Sequence, residues 1–175
     1  MARYMGTGAI FARKLLAFNG FQLHASAVVL DDKAYLFSAP SGVGKSTHTE
    51  KWCRLFGAEY LNDDKPVLRL MEDGWMAWGT PWSGKHDLSK PQGVKLAAIA
   101  WIQRGEENRI DRLVPEDAVP MIMSQCLHHL DAAQMDAQLG LLDSLLQQVP
   151  IWRLSCRNED AAAQLSYKTM TEVAL

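Results

Sequence analysis

The chain has 175 residues, 48% hydrophobic and 22% charged, with a formal net charge of −2. This length predicts one domain, residues 1–175, with a core large enough to need no disulfide or metal staple. The small net charge argues against a general nucleic-acid binder, and no apolar run reaches the roughly 18 residues that a membrane span needs.

Residues 1–20 read as an N-terminal helical extension. Ile10, Leu15, Leu16 and Phe18 alternate with Arg13 and Lys14 as on an amphipathic helix over residues 9–18, which Asn19-Gly20 ends. Its apolar side suits the domain itself, a partner subunit or a membrane surface. The segment lacks the apolar core and small-residue cleavage site of a secretory signal, so a cytoplasmic protein is expected. Phe21 to Leu30 reads as one β-prone strand that carries His24. Asp31-Asp32 is a turn signal, and Ala34 to Phe37 is a returning strand, so a hairpin is predicted.

That hairpin leads into Ala39-Pro40-Ser41-Gly42-Val43-Gly44-Lys45-Ser46-Thr47. Except for Ala39 at the first glycine position, this is the pattern of a phosphate-binding loop. Backbone N–H groups around Gly42 and Gly44 can turn inward on phosphate, and the start of the following helix adds a favourable partial charge. Residues Ser41 to Thr47 are therefore the candidate nucleotide site, with Lys45 reaching the outer phosphates and Ser46 ligating magnesium. A helix is predicted from Ser46 to Phe56, stopped by Gly57. Within it His48 suits either a nucleotide contact or the surface.

Glu59 to Asn62 is a short strand, and Asp63-Asp64 follows it. The loop, helix and strand together predict a compact β-α-β unit with both carboxylates at a strand's C-terminal end, where open α/β sheets bind ligands. One carboxylate can hold magnesium and the other can accept the proton of an attacking hydroxyl, which is the division that phosphoryl transfer requires.

Leu23-His24-Ala25-Ser26-Ala27, Gly42 to Thr47 and Asp63-Asp64, in that order and spacing, resemble the catalytic core of the HPr kinase/phosphorylase family. That family shares its nucleotide site with ATP-dependent phosphoenolpyruvate carboxykinases. The resemblance covers residues 23–64 closely and extends loosely to compact HPr-kinase-like proteins, some found with peptide-modification systems. It implies an α/β P-loop nucleotide-binding domain with a mixed central sheet and flanking helices, and the chain reads as too short for the extra substrate and metal apparatus of a carboxykinase. It also implies ATP and Mg²⁺ as cofactors, Asp63 as catalytic acid/base, His24 beside the reacting phosphate, metal ligation by Ser46 and Asp64 with Asp63 sharing, and a homo-oligomer. Ala25 stands where the larger enzymes have glycine, and their phosphorylase signature and C-terminal arginine arrangement are missing.

Further along, Pro66 to Met71 and Trp75 to Trp78 flank the turn signal Glu72-Asp73-Gly74, which predicts a second hairpin. The stretch Gly79 to Asp87 is a candidate binding loop. Here Trp82 suits either a pocket wall or an anchor. Lys85 suits either charge neutralisation at a transferring phosphoryl group or open solvent. A Thr-Pro-Trp-x-Gly-Lys-like segment also occurs in the compact relatives, which implies a substrate-side role for Lys85. Residues 85–93 read as a flexible connection able to close over the reaction. Val94 to Ile102 has the apolar continuity of a buried central strand. Ile110 to Val114 is a short strand, and Arg104, Arg109 and Arg112 offer a basic rim or ordinary surface charge.

Pro115-Glu116-Asp117 opens a helix. It ends near His128-His129, which have no third ligand at metal spacing. Ala132 to Val149 is the clearest helix, with a stripe through Met135, Leu139, Leu142, Leu146 and Val149 widened by Leu141 and Leu145. A strand at 151–155 and a helix at 159–170 finish the chain; Arg153 and Arg157 approach the site if that strand joins the main sheet. Cys53, Cys126 and Cys156 are odd in number and widely spaced, as free thiols in a reducing compartment are.

The sequence therefore reads as a Mg²⁺- and ATP-dependent kinase acting on a hydroxyl, with serine in a peptide, protein or small molecule as the acceptor that the resemblance implies. An ATP-binding regulatory or assembly module with weak hydrolysis is the alternative, and a carboxykinase-like transfer is a second. The chain has neither the Asn-Lys-x-Asp motif of guanine switches nor the Leu-Ser-Gly-Gly signature of transporter ATPases.

Overall fold

The structure is a computed structural model that describes residues 2–84, 88–126 and 130–172, with side chains from Thr7 onward. It is an α/β fold built on a mixed sheet. The N-terminal helix α1, Ala2–Leu15, is longer than the expected helix and passes into a 3-10 turn at Leu16–Phe18. Asn19 then ends it in the left-handed region at φ 57°.

The predicted strand from Phe21 to Leu30 is two strands, β1 (Gly20–Gln22) and β2 (Ala25–Leu30). They serve distant parts of the sheet. β1 pairs with β5 (Val67–Met71), whereas β2 pairs with β3 (Lys33–Ser38) and β4 (Glu59–Asn62). Leu23 and His24 bridge the gap, so His24 lies between strands rather than within one. The β2–β3 hairpin forms as predicted. Leu30 pairs with Lys33, and Asp31 and Asp32 both have positive φ (49° and 58°), the backbone of a two-residue turn that matches strand twist.

From β3 the chain crosses through α2 (Lys45–Phe56) to β4. Because β2 is antiparallel to both, β3 and β4 are parallel with β2 between them. The expected β-α-β unit is thus present with a third strand inserted. β5 and β6 (Gly74–Trp78) form the second hairpin. β7, Gly93–Arg104, is the central strand. One edge runs parallel to β3. On the other edge its first residues pair with β6, and its later residues run parallel to β9 (Ile151–Cys156), which also carries β8 (Arg109–Arg112).

Alternating side chains of β3 and β7 are buried on both faces, as a strand covered by helices on each side requires. Leu36 and Ile99 join one cluster, under α3 (Pro115–Met123) and α4 (Ala132–Gln148). Tyr35, Phe37, Ala98 and Ala100 join the other, against Trp52 of α2 and Ala162, Ala163 and Met170 of α5 (Asp160–Glu172). α4 begins at a capping box, with the Asp131 side chain accepting from Gln134 N and the Gln134 side chain accepting from Asp131 N. Its buried stripe is Gln138, Leu142 and Leu145, followed by Val149, while Leu139 of the expected stripe is 41% exposed. His128 and His129 lie outside the described residues. The three cysteines are free, and among the described residues no helix is long and apolar enough to cross a membrane.

Candidate functional site

Strand direction assembles the site. β3 ends in the phosphate loop, β4 ends at Asp63, and β2, running the opposite way, begins just after His24. All three ends therefore lie at one edge of the sheet. They open on a cleft of about 700 Å³ lined by His24, Ser41, Gly42, Gly44, Lys45, Ser46, Thr47, Asp63, Asp64 and Gly84.

The loop backbone is shaped by its glycines. Gly42 and Gly44 have φ of 80° and 122°, and a Cβ at either would meet nothing within 4 Å. Conformation, not space, demands glycine there. Ala39 needs no such freedom: it is fully buried, and its methyl packs in the cluster that holds Phe37 and Trp52. α2 starts at Gly44 with no side-chain cap, and its first bond is His48 N to Gly44 O. The N–H groups of Lys45, Ser46 and Thr47 thus have no intrahelical acceptor and are available to an anion. Arg104 steadies the loop by donating to Gly42 O at 3.1 Å.

Lys45 is 8% exposed and donates to Ala39 O at 2.9 Å. Burial lowers its ammonium pKa, while Asp64 and Asp63 pull the other way. Asp63, 7% exposed, accepts from Ser26 Oγ at 2.7 Å. Ser26 Oγ also lies 2.9 Å from Thr49 Oγ1, which donates to Ser46 O at 2.9 Å. This buried chain ties the carboxylate to the first turn of α2. Asn62 fixes the acidic pair from below. Its Oδ1 accepts from Asp64 N and Lys65 N at 3.0 and 2.7 Å, and its Nδ2 donates to Thr80 O at 2.9 Å.

His24 Nε2 stands 3.5 Å from Asp64 Oδ1, and its Nδ1 lies 3.0 Å from Gln125 Oε1. Backbone bonds set the ring's place: His24 N donates to Gln125 O and Ala25 N to Asp64 O. Burial, then Lys45, lowers the imidazole pKa below 6.5, against the pull of Asp64 and Gln125.

Several sequence alternatives resolve. His48 is not a surface residue: it lines a second pocket, beside Gly44, Thr47 and Lys51. It is buried against Phe37 with Nε2 2.9 Å from Ser166 Oγ. Trp82 stacks on Phe11 of α1 at 5.0 Å and so anchors its loop. Gly84, at φ 72°, comes so close that a Cβ would lie 3.2 Å from Asp64 Cβ. Lys85 lies outside the described residues. The connection after it is pinned where it is described: Asp63 N donates to Leu88 O, Lys90 N to Leu61 O, and Ser89 bridges Asn62. Arg153 pairs with Asp117 at 2.9 Å, away from the main cleft lining. Arg157 borders that second pocket, of about 460 Å³ behind the phosphate loop, with Lys51, Arg104 and Asn158.

Spacing in the sequence assigns no role to Ser26, Thr49, Asn62 or Gln125. Asn before Asp-Asp is a turn signal that points to Asn62. Ser26 lies two residues after His24, but nothing in its spacing reveals that it faces Asp63.

No family model and no curated protein matches the chain. Among solved structures it is similar to the HPr(Ser) kinase/phosphatase from Coxiella burnetii, at 11% identity and a TM-score of 0.45, over 86% of this chain and 93% of that chain.

Proposed function

We propose that this protein is an ATP-dependent kinase that transfers the γ-phosphoryl group to a hydroxyl, with serine as the expected acceptor. The observation that carries the reading is the meeting of the glycine loop, Lys45, Ser46, the two aspartates and His24 on one cleft. ATP phosphates would lie on the open N–H groups of α2, with Lys45 leaving Ala39 O to meet them. The pocket bordered by Arg157 and Asn158 would take the nucleoside end.

The donor set fits magnesium. Ser46, Asp63 and Asp64 offer hard oxygens on the same cleft, and among the described residues no cluster of three or more His, Cys, Asp and Glu forms a dedicated cage. Mg²⁺ is typically held by one or two carboxylates plus substrate phosphates, and it would neutralise phosphate charge there. The acceptor hydroxyl gives its proton to Asp63 as its oxygen bonds to the γ-phosphorus. The bond to the β,γ-bridging oxygen breaks, and ADP leaves. His24, with Nε2 3.5 Å from Asp64 Oδ1, would orient that carboxylate. A single domain and a homo-oligomer remain part of this proposal.

One observation favours the alternative of an ATP-binding module with weak hydrolysis: Asp63 is 7% exposed and its Oδ1 already accepts from Ser26, so little of the carboxylate is open to an acceptor. Transfer from labelled ATP to neighbouring gene products, serine peptides and free serine separates the two. The kinase reading expects acceptor-bound phosphate, reduced by about 10²-fold or more in folded Asp63→Asn and Lys45→Ala variants. ATP hydrolysis with no phosphorylated product would favour the module.

A further inference from the structure

We propose that the N-terminal helix α1 is a working part of the phosphoryl-transfer site, with Phe11 and Trp82 as positioning residues that hold the loop of residues 79–84 against Asp64. This rests on the kinase reading above. Gly8, Phe11 and Leu15 recur at helical spacing along one side of α1. The Phe11 ring stacks on Trp82 with 5.0 Å between centroids and 28° between planes. Gly8, one turn earlier, leaves room for the indole: a Cβ there would lie 3.0 Å from Trp82 Nε1. Phe11 and Leu15 also line, with Val67, Gly79, Thr80 and Pro81, a small cavity of about 250 Å³ where the helix meets the loop.

From Trp82 two routes lead to Asp64. The first is hydrogen-bonded. Trp82 N donates to Thr80 Oγ1 at 3.3 Å, and Thr80 Oγ1 donates to Lys65 O at 2.8 Å. Thr80 O accepts from Asn62 Nδ2, and Asn62 Oδ1 accepts from Asp64 N and Lys65 N. The second route is contact. Gly84 closes on Asp64 at one end of the loop, where a Cβ would lie 3.2 Å from Asp64 Cβ. At the other end the backbone is closer still: a Cβ on Gly79 would lie 2.0 Å from Lys90 O and 2.7 Å from Leu61 O. The loop is thus flush with β4 and the acidic turn at both ends, and between them Trp82 reaches α1. Groups that orient a metal-binding carboxylate typically carry about 10- to 100-fold in metal affinity or activity. A helix that fixes Trp82 therefore bears on what Asp64 can do.

The test titrates Mg²⁺ into the full chain with two readouts: nucleotide Kd by calorimetry, and transfer from labelled ATP to serine peptides. Phe11→Ala should raise the half-effective Mg²⁺ concentration about tenfold or more in both, while the ATP Kd without Mg²⁺ stays at the wild-type value. Phe11→Tyr, which keeps a ring for the stack, should restore the wild-type requirement. Gly8→Leu separates positioning from stability. It places a strong helix former in α1, which favours the helix, but drives a side chain into the Trp82 indole. It should raise the Mg²⁺ requirement as Phe11→Ala does, and it carries the comparison if Phe11→Ala does not fold. A wild-type Mg²⁺ requirement in folded Phe11→Ala overturns the proposal. So does an equal loss of ATP binding without Mg²⁺, which marks a general disturbance. If the wild type shows the Mg²⁺ step in binding but transfers no phosphate, the kinase reading fails and the Kd shift in Phe11→Ala alone decides the coupling. A wild type with no Mg²⁺ step in binding or transfer overturns both.

Discussion

At the scale of single residues, burial separates two histidines that look alike in sequence. His24 keeps both ring nitrogens at the junction of two cavities, with Asp64 on one side and Gln125 on the other. His48 is enclosed between Phe37 and α5, and burial, helped by Lys51, pushes its pKa from 6.5 down to about 3. Ser166 Oγ accepts from Trp52 Nε1 at 2.9 Å and donates to Ala163 O at 3.0 Å, so His48 Nε2–H completes its set. The fold thus favours neutral His48. The sign follows: this stability is fully present above pH 6.5 and falls as pH drops from 6.5 towards 3, because the unfolded chain takes up the proton first. The slope contributed is about 1.4 kcal/mol per pH unit. Urea unfolding between pH 7 and 4 should show it, and a folded His48→Gln variant should lose stability less steeply. An identical slope in that variant would assign the acid sensitivity to other groups.

At the scale of elements, α4 distinguishes two stripes that the sequence superimposes. Leucines at 139, 141, 142, 145 and 146 satisfy helical spacing along more than one line, and periodicity alone cannot choose. The choice is made by Gln138, a polar residue buried on the inner face, where its Nε2 lies 3.4 Å from Met123 Sδ. Leu142→Ala should therefore cost about 2–5 kcal/mol. Leu139→Ala should stay within about 0.5 kcal/mol, as an exposed position does. Chemical denaturation of the two variants decides between the stripes, and a large loss at Leu139 would mean a partner covers it. The β2–β3 hairpin was legible because its turn is local: Asp31 and Asp32 alone set the reversal. The break between β1 and β2 was not. Phe21 to Leu30 contains no Gly or Pro, and the interruption comes from outside. Leu23, His24 and Ala25 give their N–H groups to Pro66, Gln125 and Asp64 instead of to one neighbouring strand.

At the scale of the whole molecule, topology explains why residues far apart in sequence serve one cleft. Inserting antiparallel β2 between parallel β3 and β4 brings the start of one strand to the ends of two others. The loop and the acidic pair could be read from the chain because each ends a short local unit. Gln125 could not: it reaches His24 across 101 positions through packing alone. The same convergence makes the proposed nucleotide site a lever on global stability, since a ligand that bridges the ends of β3, β4 and β2 binds the folded state alone. Mg²⁺ and ATP at about 100 times Kd should add roughly 2.7 kcal/mol. For a chain of this size that corresponds to a rise in Tm of roughly 5–10 °C. Calorimetry should find the rise reduced when magnesium is chelated and absent in Lys45→Ala, whose lost ammonium no longer meets the phosphates. A full shift persisting in Lys45→Ala would move the nucleotide away from the loop, because burial of the ammonium against Ala39 O gives it no reason to stabilise a ligand bound elsewhere.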